Sequence, residues 1–201
     1  MTAKPTAILI SGRGSNMMAL IEAAASPDYP AQIALVISNR PQAGGLELAQ
    51  AHNIAVSVIP HQGKTRQQFD AEIDATLRRH GIELVCLAGF MRILSDDFVR
   101  AWAGRIINIH PSLLPAFKGI DVQARTLAAG VRISGCTVHF VVPELDAGPI
   151  IEQACVRVEP DDTEETLAAR ILAEEHRIYP YALRLLASGR VRLEAERTIF
   201  S

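Results

Sequence analysis

The sequence has few of the residues that build disulfide frameworks or metal centres. It contains three cysteines, Cys86, Cys136 and Cys155, which are far apart and odd in number, a pattern that favours a reducing compartment. The six histidines are scattered without a His-Glu-x-x-His motif, so we expect no metal. No apolar run reaches the ~18 residues that a membrane span needs, and no signal-peptide core precedes the first strand. We therefore expect a cytoplasmic protein.

The sequence also has little net charge, although charged residues make up an ordinary 21% of it. The formal net charge is −2, which gives no whole-protein field to attract nucleic acid or a membrane surface. Hydrophobic residues make up 49% of the 201 positions, enough for a sizeable core in one domain. We expect a single domain over residues 1–201 that acts on small molecules, not on nucleic acid or membrane, as a monomer or homodimer. An anionic ligand would need a local site.

Short apolar runs alternate with amphipathic segments in the first half of the chain. This pattern predicts an α/β fold with a doubly wound, mostly parallel sheet and a Rossmann-type first half. The predicted strands are Ala7–Ile10, Ile33–Ile37, Ile54–Ile59, Leu84–Ala88 and Arg105–Ile109.

The rhythm changes after residue 130. Val138–Val142 and Ile150–Val158 follow each other without a helix, which predicts antiparallel strands near the C-terminal part. Asp162 and Glu165 are spaced as a capping box, which predicts a helix to about Ser188 with a kink at Pro180. One short strand is expected after Gly189.

A glycine-rich turn joins the first predicted strand to the first helix. Backbone N–H groups and the helix dipole make such a turn suitable for phosphate, with Gly14, Ser15 and Asn16 as the expected contacts. It is not a Walker A loop, and Met17 replaces the third glycine of GxGxxG. Arg40 after the second strand leaves a NADP-binding module open as an alternative, and a plain tight turn is also possible.

Polar residues at the end of an apolar strand are the strongest candidates for chemistry. Asn108 and His110 share one face of the strand and point toward the expected cleft. Asp146 lies in a loop after a later strand, where it could orient an imidazolium. An amide, an imidazole and a carboxylate without a serine or cysteine nucleophile suit direct acyl transfer. The alternative is a strand-end histidine satisfied by a loop aspartate.

Six motifs resemble those of one enzyme family. They are ISGRGSN (10–16), LAGFMRILS (87–95), INIHPSLLP (107–115), VHFV (138–141), ELDAGPII (144–151) and EEHRIYP (174–180). Together they are similar to the phosphoribosylglycinamide formyltransferase family. The resemblance implies a formyltransferase-like fold and transfer of the formyl group from 10-formyltetrahydrofolate to the amine of 5-phosphoribosylglycinamide in de novo purine biosynthesis.

The resemblance also implies a set of site residues. The catalytic residues would be Asn108, His110 and Asp146; the ribonucleotide and its phosphate would contact Gly14, Ser15, Asn16 and Glu175; and folate would contact Arg66, Met91, Arg92, Ile93, Leu94 and Asn108. Residues 1–105 would form the phosphate-binding half and 106–201 the catalytic and folate-binding half. At least one of the apolar Met91–Leu94 side chains should lie in the core, because adjacent residues cannot all face one pocket. His139, on an apolar strand, is expected to be structural.

The chain departs from the family pattern at Lys118, Val122 and Gln123. The FKG and GCTVHFV stretches also lean toward a related hydrolase, formyltetrahydrofolate deformylase, in which water attacks the same formyl carbon. The deformylase is therefore the alternative function, ahead of the NADP-binding module.

Overall fold

Strands and helices alternate along residues 2–201, the part of the chain that the computed structural model describes. The strands are β1 (Lys4–Ile10), β2 (Ala31–Ser38), β3 (Ala55–Val58), β4 (Leu84–Leu87), β5 (Ile106–His110), β6 (Ile133–Phe140), β7 (Ile150–Arg157), β8 (Val191–Glu194) and β9 (Arg197–Phe200). The helices are α1 (Ser15–Ala24), α2 (Gly45–Ala51), α3 (Arg66–Arg79), α4 (Asp96–Ala101), α5 (Val122–Ala128) and α6 (Glu164–Ala187).

Seven of the strands form one sheet in the order β3-β2-β1-β4-β5-β6-β7. The first five strands in this order, from β3 to β5, pair in parallel, whereas β6 runs antiparallel to both β5 and β7. The predicted fold class, a mostly parallel doubly wound sheet with antiparallel strands near the C-terminal part, is confirmed. From β1, the strands β2 and β3 are added on one side of the sheet, and β4 and the later strands are added on the other. Ligands of such sheets bind at the carboxyl ends of the strands where the order changes direction, here between β1 and β4.

Two hydrophobic cores lie on opposite faces of the sheet. One contains Ile107 and Ile109 of β5 together with apolar residues of α1, α2 and α6. The other contains Ile106 and apolar residues of α3 and α4. Because side chains alternate along a strand, Asn108 and His110 are directed away from the first core. None of the helices within residues 2–201 is long and apolar enough to cross a membrane.

The capping box of the last long helix was predicted one residue too early. The capping box of α6 is formed by Thr163 and Thr166, one residue later than predicted. The Asp162 carboxylate instead forms two 2.8 Å hydrogen bonds with Arg170, so it is not the N-cap. The helix continues through Pro180 to Ala187.

The chain after Gly189 forms a hairpin of two strands, β8 and β9, where one strand was predicted. The turn places Ala195 and Glu196 at φ 45° and 61°. Two successive positive φ values are typical of tight hairpin turns, which usually carry Asn or Gly. The sequence therefore lacked the usual signal for this turn.

Candidate active site

Ser11, directly after β1, connects the loop that follows β2 to the loop that follows β4. Its hydroxyl donates to Asn39 Oδ1 (2.6 Å) and accepts from the Met91 amide (2.8 Å). Its own amide donates to the Gly89 carbonyl (3.1 Å). The segment that begins at Met91 is thus bound to the end of β1. The sequence analysis did not single out Ser11 and Asn39 for this role. Both are polar residues at the ends of neighbouring apolar strands, and this pattern could have indicated them.

The glycine-rich turn has the backbone shape that an anion cradle needs. Gly14 is the N-cap of α1 with φ 80°, a left-handed conformation that favours glycine. No acidic side chain lies in the first turn of α1, so its N–H dipoles are not offset there. Gly45, at the start of α2, packs closely against the turn. Its amide donates to the Gly12 carbonyl (3.1 Å), and a Cβ there would approach Ile10 Cδ1 to 2.6 Å.

Asn16 and Glu175 meet beside this turn, although 159 positions separate them along the chain. Asn16 Nδ2 donates to Glu175 Oε2 at 2.7 Å. Asn16 Oδ1 is buried and has no hydrogen-bond partner among residues 2–201. Burial raises the pKa of Glu175, and the hydrogen bond from Asn16 opposes the shift. The two members of the expected ribonucleotide site are therefore brought together.

Replacing Glu175 with glutamine is expected to stabilise the protein at pH 7. A carboxyl whose pKa is raised in the folded state contributes stability below its unfolded pKa and loses it as pH rises through the folded pKa. Glutamine imitates the protonated form and keeps an acceptor for Asn16. We expect a gain of about 1 to 3 kcal/mol at pH 7, the cost of an incompletely compensated buried group, and a flatter stability profile above pH ~4.5.

Urea unfolding from pH 4 to 8 measures this effect. The control is Glu174→Gln, which neutralises the neighbouring, more exposed carboxylate paired with Arg177. Equal profiles for the two variants would contradict the assignment of the pH dependence to Glu175.

The catalytic candidates His110 and Asp146 are both buried, with 5% and 9% of their surface exposed. His110 Nε2 lies 2.9 Å from the carbonyl of Phe117. Because a carbonyl only accepts, Nε2 carries the proton. Nδ1 therefore faces Asp146 Oδ2, 3.5 Å away. The Asp146 oxygen also accepts from the Gly119 amide at 2.8 Å.

Asn108 is oriented by His139, which lies opposite it on β6. His139 Nδ1 donates to the Phe140 carbonyl at 2.8 Å, so its Nε2 can accept from Asn108 Nδ2 at 3.2 Å. Burial lowers the pKa of His139, which keeps it neutral and able to accept. The expected structural histidine has its hydrogen bonds satisfied, and it also lies 3.9 Å from Asp146 Oδ1.

The loop of residues 141–149 carries Asp146 back over the face that bears Asn108. Asp146 has φ 48°, a strained value for a residue with a side chain. Gly148 makes the close approach possible, because a Cβ there would overlap the Phe140 carbonyl and lie 3.2 Å from His139 Nδ1. Only glycine fits between this loop and β6.

The residues expected at folate differ in their exposure to solvent. Met91 and Ile93 are 62% and 52% exposed, whereas Leu94 is buried in the core with α3 and α4. This confirms that at least one apolar member of the segment is a core residue. The side chain of Leu94 points into the core, so only its backbone is available to a ligand. Arg66 is the first residue of α3. It lines a groove of about 350 Å³ with Gln67, Ser95, Asp96 and Asp97.

Fold and site together define a class of protein. It is a doubly wound α/β enzyme with a glycine-rich loop and with an amide, an imidazole and a carboxylate in one site. These three groups suit an acyl transferase. No group of three potential metal ligands occurs within residues 2–201.

Comparisons with known proteins agree with this class. The sequence model of the family described as formyl transferase matches residues 4–183. The trifunctional purine biosynthetic protein adenosine-3 of Bos taurus is 52% identical over 188 residues, 93% of this chain and 19% of that protein. Phosphoribosylglycinamide formyltransferase of Bacillus subtilis is 40% identical over 91% of this chain and 94% of its own length.

Solved structures give the same result. Glycinamide ribonucleotide transformylase 1 from Symbiobacterium toebii has a TM-score of 0.95 and 45% identity, with 98% of this chain and 94% of that chain covered. The chain belongs to the formyl transferase family, and within it to the phosphoribosylglycinamide formyltransferases. It spans about a fifth of the trifunctional relatives from vertebrates, and nearly all of the bacterial ones.

The related hydrolase is a more distant neighbour. Formyltetrahydrofolate deformylase from Pseudomonas syringae has a TM-score of 0.92 but only 31% identity, and this chain covers 66% of it. The FKG and GCTVHFV stretches therefore do not outweigh the similarity to the transformylases. Membership of the formyl transferase family leaves the NADP-binding alternative without support.

Proposed function

We propose that this protein transfers the formyl group of 10-formyltetrahydrofolate to the amine of 5-phosphoribosylglycinamide in de novo purine biosynthesis. The observation that carries the proposal is the convergence of Asn108 and His110, from strand β5, with Asp146, from the loop after β6, on one face of the sheet. The names of the relatives, phosphoribosylglycinamide formyltransferase and glycinamide ribonucleotide transformylase, support the choice of acceptor.

The acceptor binds at the glycine-rich turn. Its phosphate is held by backbone N–H groups of Gly14, Ser15 and Asn16 at the start of α1, where the helix dipole favours an anion. The side chains of Asn16 and Glu175, which are hydrogen-bonded to each other beside this turn, bind the part of the ribonucleotide beyond the phosphate. The unpartnered Oδ1 of Asn16 supports this placement, because a buried acceptor without a donor costs free energy that a ligand can recover.

The donor binds along the segment that follows β4. The exposed side chains of Met91 and Ile93 offer an apolar surface to a flat pteridine, while backbone groups of Arg92 and Leu94 can read its edges. Arg66, at the far groove, contacts the anionic part of folate. Ser11 fixes the segment relative to the phosphate loop, so both substrates are placed by one set of hydrogen bonds.

His110 moves the proton. With Nε2–H held by the Phe117 carbonyl, Nδ1 is the nitrogen that gains and loses a proton. At 3.5 Å from Asp146 it is not in a close hydrogen bond, so its proton can be passed on. Asp146 lies on the Nδ1 side, where its charge stabilises the imidazolium and fixes the ring orientation. The protonated ring can then donate to the oxygen or to the departing nitrogen of the reacting centre.

Asn108 stabilises the oxyanion. One hydrogen of its Nδ2 is directed to His139, which leaves the other for the formyl oxygen. The acceptor amine forms a C–N bond to the formyl carbon and places negative charge on that oxygen. Collapse breaks the bond to N10 of folate, which takes a proton, while the amine loses one. The proton passes through His110.

The proposal is tested with 10-formyltetrahydrofolate in the presence and absence of 5-phosphoribosylglycinamide. Tetrahydrofolate release is expected to depend on the ribonucleotide and to yield one formylated product per turnover, because the amine is the attacking group. Ribonucleotide-independent release would identify the deformylase, in which water attacks. Absence of release under both conditions would refute both functions. Omission of metal with a chelator present is expected to leave the rate unchanged.

We further propose that the protein works in the cytoplasm as a monomer or homodimer, with residues 1–105 and 106–201 acting as one unit. The Asn16–Glu175 hydrogen bond supports the last point, because it joins the two halves at the acceptor site. The three cysteines are unpaired, in keeping with a reducing compartment. Light scattering of the purified protein measures the oligomeric state.

A further inference from the structure

The loop of residues 117–121, between β5 and α5, has an unfavourable backbone. Phe117, Gly119 and Asp121 have φ values of 53°, 85° and 54°. Glycine adopts this region readily, but a phenylalanine or an aspartate does so at a cost in free energy. Such a backbone persists only where neighbouring groups hold it.

The same loop holds both catalytic candidates of the acid–base pair through its backbone. The Phe117 carbonyl accepts from His110 Nε2, and the Gly119 amide donates to Asp146 Oδ2. The loop therefore determines which imidazole nitrogen faces Asp146 and where the carboxylate lies. A loop that relaxed to ordinary φ values would release both.

Arg125 of α5 binds the loop at three points. Its Nη1 donates to the carbonyls of Lys118 (2.6 Å) and Ile120 (3.3 Å), and its guanidinium carbon lies 5.8 Å from the centre of the Phe117 ring. Hydrogen bonds from a charged donor are about twice as strong as neutral ones. An ion pair from Lys118 to Glu144 at 3.3 Å joins a partly exposed side chain to an exposed one and contributes little.

We propose that Arg125 is a positioning residue, which holds the 117–121 loop in the shape that orients His110 and Asp146. It acts on the reaction only through these two residues and touches neither substrate. The inference rests on the proposed function for its effect on the rate, and it stands on the loop geometry for its effect on His110.

Three variants test the proposal. Arg125→Ala removes all contacts with the loop, and Arg125→Lys keeps a charged donor. Arg184→Ala is the matched control, since Arg184 is also an exposed helical arginine over an aromatic ring, that of Tyr29, and lies outside the site. Arg125→Ala is expected to lower kcat about 10- to 100-fold, the effect of a small misplacement of catalytic groups, with KM values within about 3-fold. Arg125→Lys should recover part of the loss, and Arg184→Ala should retain wild-type kcat.

A second measurement does not depend on activity. In ¹⁵N-labelled protein, the Nε2–H of His110 should give an observable imidazole signal in the wild type and in Arg184→Ala, because the Phe117 carbonyl protects it from exchange. In Arg125→Ala the signal should weaken or disappear while the melting temperature changes little. Wild-type kcat or a retained signal in Arg125→Ala would overturn the positioning role. A wild type that fails to transfer formyl groups would refute the proposed function instead, and the imidazole signal would still test the loop.

Discussion

The His110→Ala variant is expected to turn over about 10²- to 10⁴-fold more slowly than the wild type, the range that loss of a positioned acid–base group produces. The variant removes the nitrogen that faces Asp146 at 3.5 Å and with it the path for the proton. KM for both substrates should change much less, because neither proposed binding site includes this ring. Steady-state release of tetrahydrofolate, measured with both substrates varied, gives kcat and KM separately.

Asp146→Asn provides the partner measurement. The amide keeps the size of the side chain but loses the charge that stabilises an imidazolium, so kcat should again fall by orders of magnitude. The double variant should be little slower than the worse single variant, because residues that act as a unit are not additive. His52→Ala, at an exposed histidine outside the site, is the control. Near-normal turnover in either site variant would remove that residue from the mechanism.

Gly148→Ala is expected to lower the free energy of unfolding by about 3 kcal/mol and the melting temperature by about 6 to 12 °C. The added Cβ would overlap the Phe140 carbonyl and approach His139 Nδ1 to 3.2 Å. The loop of residues 141–149 must then move away from β6 and carry Asp146 with it. The fraction that remains folded should therefore also have a lower kcat. Thermal unfolding and kinetics below the transition measure the two effects.

Gly44→Ala is the matched control for Gly148. A Cβ at Gly44 meets no atom within 4 Å, and its φ of −59° suits any residue. Its unfolding free energy should change by no more than about 0.5 kcal/mol, as at most surface sites. A Gly148→Ala variant as stable as Gly44→Ala would show that the loop can relax away from β6 at low cost.

Much of the fold could be predicted because its signals are local. The five parallel strands are short apolar runs, four of them largely buried and β3, at the edge of the sheet, partly exposed. Each was recognised within a few residues of its bounds. The start of β6 was missed, since Ile133 is exposed and Ser134, Gly135 and Cys136 give no regular alternation. The β8–β9 turn was missed because its positive φ values fall on Ala195 and Glu196.

The site could be predicted in part. Alternation along β5 placed Asn108 and His110 on one face without any knowledge of their partners. Asp146 was predicted to lie near them because of the family resemblance and because an imidazolium is stabilised by a carboxylate. The structure places Asp146 next to His110. The Gly45 contact with the phosphate loop had no such signal, because close packing between segments leaves no periodic pattern.

The amino-acid sequence by itself determined the class of fold, the strand end that carries the catalytic candidates, the glycine-rich turn and the family. Each of these follows from neighbouring residues whose periodicity or motif is readable along the chain. The tertiary structure alone decided which nitrogen of His110 faces Asp146, because the Phe117 carbonyl reaches Nε2 only through a strained loop. It also decided the Asn16–Glu175 pair, the orientation of Asn108 by His139 and the contacts of Arg125 with the 117–121 loop. Hydrogen-bond geometry depends on distances of a few tenths of an ångström between segments far apart in the chain, and only packing sets those.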